Sequence, residues 1–151
     1  MKHLLASLLA LTLFISCSKD DKVKDYTEQN EKEIVDYLAK NNLTAQRTAS
    51  GLYYIITKEG EGEEKPTIKS TVTVKYTGTF TDGKPFDQST DPVSFPLSRL
   101  IPGWKEGIPL LKAGGECMLF VPSHLGYGST GNQNIPGGAV LVFNITLVSF
   151  N

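Results

Sequence analysis

The stretch STVTVKYTGTF, Ser70 to Phe80, decides the fold, because its side chains alternate without a break. Val72, Val74, Tyr76 and Phe80 fall on one side; Thr71, Thr73, Lys75, Thr77 and Thr79 fall on the other. A period of two with one apolar side predicts an antiparallel strand that packs on a core with one face and meets water with the other. Immediately downstream, TDGK at 81–84 has the residues of a hairpin turn. Further out, GLYYIITKEG (51–60), ECMLFV (116–121) and AVLVFNITLVSF (139–150) supply more strands. The last of these sets Ala139, Leu141, Phe143, Ile145 and Leu147 on one face. Within this region the helical candidate is a short piece starting at Trp104, interrupted by Gly107 and Pro109. The expectation is an α+β domain, a twisted antiparallel sheet folded over one brief helix.

Composition sets the class. The chain has 151 residues, 40% hydrophobic and 21% charged, with 15 basic against 16 acidic side chains. That is an ordinary globular composition with length for about one domain. With no basic surplus to neutralise phosphates, no nucleic-acid partner is expected.

The first residues read differently. MKHLLASLLALTLFISC has a basic start at Lys2, an apolar run from Leu4 to Ile15 too brief to span a bilayer, small Ser16 and then Cys17. This is the pattern of a secretory signal peptide. FISC also resembles a bacterial lipobox, with Phe14 where leucine is usual, in which the cysteine becomes the lipidated first residue. The following SKDDKVKDYTEQ is too polar to fold by itself. Its Asp20-Asp21 pair resembles an export tag of surface lipoproteins, and reads equally well as a solvated charge run.

Next, NEKEIVDYLAKNN places Ile34 and Leu38 one turn apart, with Asn30 and Glu33 as a capping pair and asparagine at the far end. A stripe that narrow predicts a helix docked on the domain rather than stable alone. The chain therefore divides into a signal peptide (1–16), a lipidated flexible tether (17–29), a short amphipathic helix (30–44) and the folded domain (45–151). The expected location is the bacterial cell envelope, held to a membrane through lipid on Cys17, most simply the outer membrane. With Cys17 lipidated, Cys117 has no disulfide partner and sits in a strand-like apolar run, as a buried core thiol does.

Several motifs carry no chemistry. GYGSTG (126–131) has dinucleotide-site spacing, but neither an opening helix nor a later acidic residue follows. Tyr127 stands where a nucleophile elbow needs its first glycine. His124 has no cysteine or acidic residue at ligand spacing, so neither metal nor cofactor is expected.

The single tryptophan, in LIPGWKEGIPLL (100–111), sits among turn-formers and charges. Spacing alone reads Trp104 as a core cap. However, aromatic and branched residues also gather at strand ends and loops: Tyr76, Phe86 beside Asp87, Phe95, Leu100, Ile101, Tyr127, Ile135 and Phe143. Such a set would build a concave apolar site with a few polar groups.

Taken in order, VKYTGTFTDGKPFDQS, FPL, LIPGWKEGI, GGECMLFVPSHLGYG and IPGGAVLVFNITLV resemble the macrolide-binding, FKBP-type peptidyl-prolyl isomerases, from about Ala49 to Asn151. The resemblance implies a five- or six-stranded antiparallel sheet wrapped on one short helix. It also implies proline-containing polypeptides as substrates, rapamycin-type macrolides as inhibitors and a monomer without cofactor. By the same resemblance Trp104 floors the pocket, and Tyr76, Phe86, Phe95, Ile101 and Phe143 wall it. The Ile101 N–H and the Tyr127 hydroxyl hold substrate carbonyls, Asp87 faces the twisted amide, and Leu100 and Ile135 complete the substrate contacts. Two departures stand out. DQSTDPVSF lacks the arginine that many members carry after Phe-Asp, and GSTGNQNIP has Asn132 and Asn134 where some members are bulkier. A binding or chaperone module with little turnover is the competing reading, and a structural lipoprotein a third.

Overall fold

The computed structural model describes residues 22–151; the signal-peptide and Cys17 readings lie outside the described residues. The alternating stretch forms β3 (Thr71–Thr79) inside a six-stranded, wholly antiparallel sheet. Its companions are β1 (Gln46–Arg47), β2 (Tyr53–Lys58), β4 (Pro85–Pro96), β5 (Glu116–Val121) and β6 (Leu141–Phe150), in the spatial order β1-β2-β5-β6-β3-β4. Helix α1 (Thr27–Lys40) precedes the sheet, and α2 (Pro102–Gly107) lies across it, continued by a 3-10 turn at Ile108–Leu110.

The inner face carries the main core. Val72, Val74, Leu119, Val121, Leu141, Phe143, Ile145 and Leu147 are buried there with Trp104 and Ile108. Cys117 belongs to the same core, and burial pushes its thiol up to about 12.

The other face is not uniformly wet. At the β2-β5-β6 end, Tyr53, Phe120, Val140 and Val142 point outward and are covered by Ile34 and Leu38 of α1. These strands are therefore apolar on both sides, and the single-faced reading holds only where Lys75 remains exposed. Hydrogen bonds fix the docking: the Tyr53 hydroxyl and Arg47 Nε both donate to Glu31 Oε1, at 2.5 and 3.0 Å.

Helix α1 begins three residues before the expected Asn30. Asp25 Oδ1 accepts the Thr27 N–H at 2.9 Å and thus satisfies an early amide, so Asn30 falls inside the first turn, fully buried, and does not cap this helix. At the far end Asn42 adopts φ 53°, the left-handed conformation that asparagine tolerates at a helix stop. The helix thus ends at Lys40, short of the expected 44.

Strand β4 was hidden by its prolines. Pro85, Pro92 and Pro96 lack the N–H a central strand must donate, and β4 is accordingly an edge. Its pairing slips where Val74 faces Val93 but Tyr76 faces Ser89, leaving extra β4 residues in a bulge.

Replacing Ile34 by alanine should cost about 2–5 kcal/mol, the range for emptying a buried branched side chain. Denaturant unfolding measures it; a loss below about 0.5 kcal/mol, usual for surface changes, would mean that α1 is not part of the cooperative fold.

Candidate active site

The site is assembled where α2 crosses the open end of the sheet. Pro102, at the first helical position, starts α2 without wasting a donor, so the helix begins two residues before Trp104. The α2 glycines make the crossing close: a Cβ on Gly103 would lie 2.7 Å from Val121 Cγ1, and one on Gly107 2.6 Å from Leu119 Cδ1. A side chain at either position would force Val121, Leu119 or the helix itself to move. Trp104 is consequently carried on a helix surface pressed to the sheet, at 5% exposure.

Two rings hold the indole edge-to-face. Tyr76 of β3 stands 5.0 Å away at 85° between planes, and Phe143 of β6 5.2 Å away at 84°. Phe86 of β4 packs on Phe143 in the same manner, at 5.5 Å and 85°. Such T-shaped pairs are worth about 0.5–1.5 kcal/mol beyond burial alone. Gly78 makes this ladder fit, since a Cβ there would come within 2.6 Å of Phe86 Cζ and 3.0 Å of Phe143 Cε1. Trp104 Nε1 is a buried side-chain donor left without a hydrogen-bond partner.

Above the indole opens a cavity of about 320 Å³, lined by Tyr76, Phe86, Asp87, Phe95, Arg99, Leu100, Ile101, Trp104, Tyr127 and Phe143. The geometry brings together nine of the ten pocket residues expected from the sequence. The tenth, Ile135, is buried in the core and does not line the cavity. Arg99, which sequence reading missed, does line it. It closes the 3-10 turn Leu97–Arg99 that delivers the chain from β4 to Leu100, and its place two residues before Ile101 was the signal available.

Polar groups sit at the rim. The Tyr76 hydroxyl donates to Asp87 Oδ2 at 2.7 Å and so orients a carboxylate that stays exposed at the rim. Burial first, and this hydrogen bond next, hold the Tyr76 phenol well above its ordinary value. Tyr127, 38% exposed, is raised by burial and then by the charge of Asp87. Among the described residues nothing accepts the Ile101 N–H, which leaves it available beside the cavity. No group of three His, Cys, Asp or Glu side chains is gathered among the described residues.

A family model for the FKBP-type peptidyl-prolyl cis-trans isomerases matches residues 62–148, more than half of the chain. The chain belongs to this family. An FKBP-type isomerase of Aeromonas hydrophila, FkpA, is 45% identical over 131 residues, covering 83% of this chain and 48% of the relative. The crystal structure of FkpA from Escherichia coli superposes with a TM-score of 0.75 at 36% identity, over 86% of this chain and 63% of that one. A peptidyl-prolyl cis-trans isomerase from Pseudomonas syringae, with a TM-score of 0.71 and 31% identity, is matched over 85% of this chain and 98% of its own. The chain spans about half the length of the first of these relatives. The FKBP fold expected from the sequence is the fold observed, with six strands.

The raised phenols have a consequence for stability. The unfolded chain releases tyrosine protons near pH 10, while the folded FKBP domain retains those of Tyr76 and Tyr127. Stability should therefore decline as the pH climbs past about 10, and Tyr76→Phe should soften that decline. Denaturant unfolding at pH ~8 and ~10.5 tests it; equal alkaline losses in both proteins would count against the assignment.

Proposed function

We propose that the domain catalyses cis-trans isomerisation of Xaa-Pro peptide bonds in proline-containing polypeptides. The observation that carries this reading is the indole of Trp104 at the floor of an aromatic-walled cavity with Asp87, Tyr127 and the Ile101 N–H at its rim.

An Xaa-Pro amide rotates over a barrier of about 18–20 kcal/mol, because resonance is lost when the bond twists. Left alone it takes tens to hundreds of seconds. No proton has to move and no covalent bond has to form. An enzyme need only bind the twisted amide better than the planar one. Raising a rate of roughly 0.01 per second to roughly 100 per second requires about 5.4 kcal/mol.

Each part of the site has a task. The indole and phenyl rings receive the prolyl ring and exclude water from the amide. Ile101 N–H and the Tyr127 hydroxyl take substrate carbonyls, so the backbone on either side stays fixed while the bond turns. Asp87, oriented by Tyr76, faces the amide carbonyl once it has left the amide plane. Raised phenols keep their protons throughout neutral pH and remain donors.

A proline-isomerisation assay on a short peptide tests the proposal. Acceleration at micromolar protein is expected; none would leave a binding module that uses the same groove. Rapamycin-type macrolides, whose binding is a property of the family, should quench Trp104 emission. Because enclosure outweighs charge here, Trp104→Ala and Phe143→Ala should each lower kcat/KM more than Asp87→Ala does. An equal or inverted ordering in folded variants would refute enclosure as the main effect.

We further propose that the chain is a monomeric lipoprotein of the bacterial cell envelope, tethered through lipid on Cys17. The support is the basic start, the apolar run from Leu4 to Ile15 and the FISC sequence. At about 0.8 kcal/mol per buried methylene, more than one acyl chain would anchor it stably. Among the described residues no helix is long and apolar enough to cross a membrane. Cys17→Ser should move the protein from the membrane to the soluble fraction; persistence in the membrane would exclude the anchor.

A further inference from the structure

The segment Ser123–Gly138 leaves the end of β5, carries Tyr127 past the cavity and returns towards β6. Two backbone bonds draw it together: Gly128 N–H donates to the Ser123 carbonyl at 2.8 Å, and Gly138 N–H to the Gly128 carbonyl at 2.9 Å. One side chain from elsewhere ties its two ends. Asn30 Oδ1 accepts from the Ser123 N–H at 2.9 Å and from the Ser123 hydroxyl at 2.6 Å, and Asn30 Nδ2 donates to the Gly138 carbonyl at 2.9 Å. The amide has used both its acceptor positions and one of its two donors. Asn30 is fully buried. Beside it the Tyr26 ring lies so close to Gly138 that a Cβ there would stand 2.3 Å from the ring.

Asn30 belongs to α1, ahead of residues 62–148 that the family model covers. Docking of α1 has contacts besides this amide, because Ile34, Leu38 and Glu31 also hold the helix to the sheet. A buried polar group with three such bonds instead selects one arrangement of its partners and penalises every other, since each displaced donor or acceptor is left unpaired.

We infer that Asn30 is a positioning residue for the pocket: by clasping Ser123 and Gly138 it fixes the segment that presents the Tyr127 hydroxyl to substrate. This rests on the isomerase reading of the site. Helix α1 is then part of the binding apparatus, although none of its residues touches the cavity.

Two measurements test the clasp. Amide hydrogen exchange is compared between wild type, Asn30→Ala and Asn30→Asp; the aspartate keeps the acceptors for Ser123 but sets a carboxylate against the Gly138 carbonyl. Exchange at Gly126–Gly131 should quicken about tenfold in Asn30→Ala while β5 and β6 stay protected, as expected of a local opening. Unchanged exchange, or a uniform rise over the sheet, overturns the inference. Kinetics on a proline tetrapeptide then supply a double-mutant cycle with Tyr127→Phe. Asn30→Ala alone should raise KM about fivefold with a smaller change in kcat, and should add little in the Tyr127→Phe background, because coupled residues are not additive. Additive losses would make Asn30 a merely structural residue. Should Asn30→Ala fail to fold, Ser123→Ala, which removes only the hydroxyl donor, carries the same comparisons. If wild type does not isomerise proline, the isomerase reading falls and the exchange data still decide the clasp.

Discussion

The approach of α2 to β5 through Gly103 and Gly107 is the contact on which the site depends. Side chains at those positions would have to displace buried Val121 and Leu119 or lift the helix, whose indole meets Tyr76 and Phe143 edge-on. Close packing leaves no slack for such a change, because protein interiors transmit displacement rather than absorb it. Gly78 plays the matching part in the sheet, where it lets Phe86 and Phe143 converge over a strand that offers them no side chain. Bare backbone at a few points thus creates room for an aromatic floor and walls, and the cavity is the space those rings do not fill.

The sheet serves two cores at once. Its inner face builds the pocket with α2, and its outer face at the β2-β5-β6 end is sealed by α1. Strands sandwiched in this way are rigid platforms, which suits a site whose effect depends on holding a substrate's flanks still. Asn30 extends the same logic from strands to a loop. A polar side chain bonded to both Ser123 and Gly138 specifies the path of the chain around Tyr127 more narrowly than an apolar contact would.

The proposed reaction explains why the site contains so little conventional chemistry. Rotation about an amide needs no acid, base or metal, so the useful groups are surfaces and fixed dipoles. Asp87 stays exposed at the rim, and Tyr76 orients it while keeping its own proton. What distinguishes the transition state is the direction of a carbonyl dipole, to which a fixed polar group can be matched in advance.

Much of this was written locally. Alternation from Thr71 to Thr79 needs only the geometry of a strand, so β3, the strand β5 and the inner face of β6 could be read directly, as could the buried thiol of Cys117. The aromatic set around Trp104 was legible as a group because the motifs stand in family order. Other features depend on neighbours distant in the chain. Prolines disguised β4, whose strand character follows from an edge position that no local pattern records. Asn30 looked like a cap because sequence supplies its spacing to Glu33 but not the carbonyl of Gly138, 108 residues away. Ile135 looked like pocket and became core, and Arg99, which the motifs did not single out, lines the pocket. Periodicity and motif order are properties of adjacent residues, and they determined the alternating strands, the existence of the helix and most of the cast of the site. Which residues of that cast face the cavity, and what holds them there, is set by contacts between distant segments, and these exist only once the chain has closed on itself.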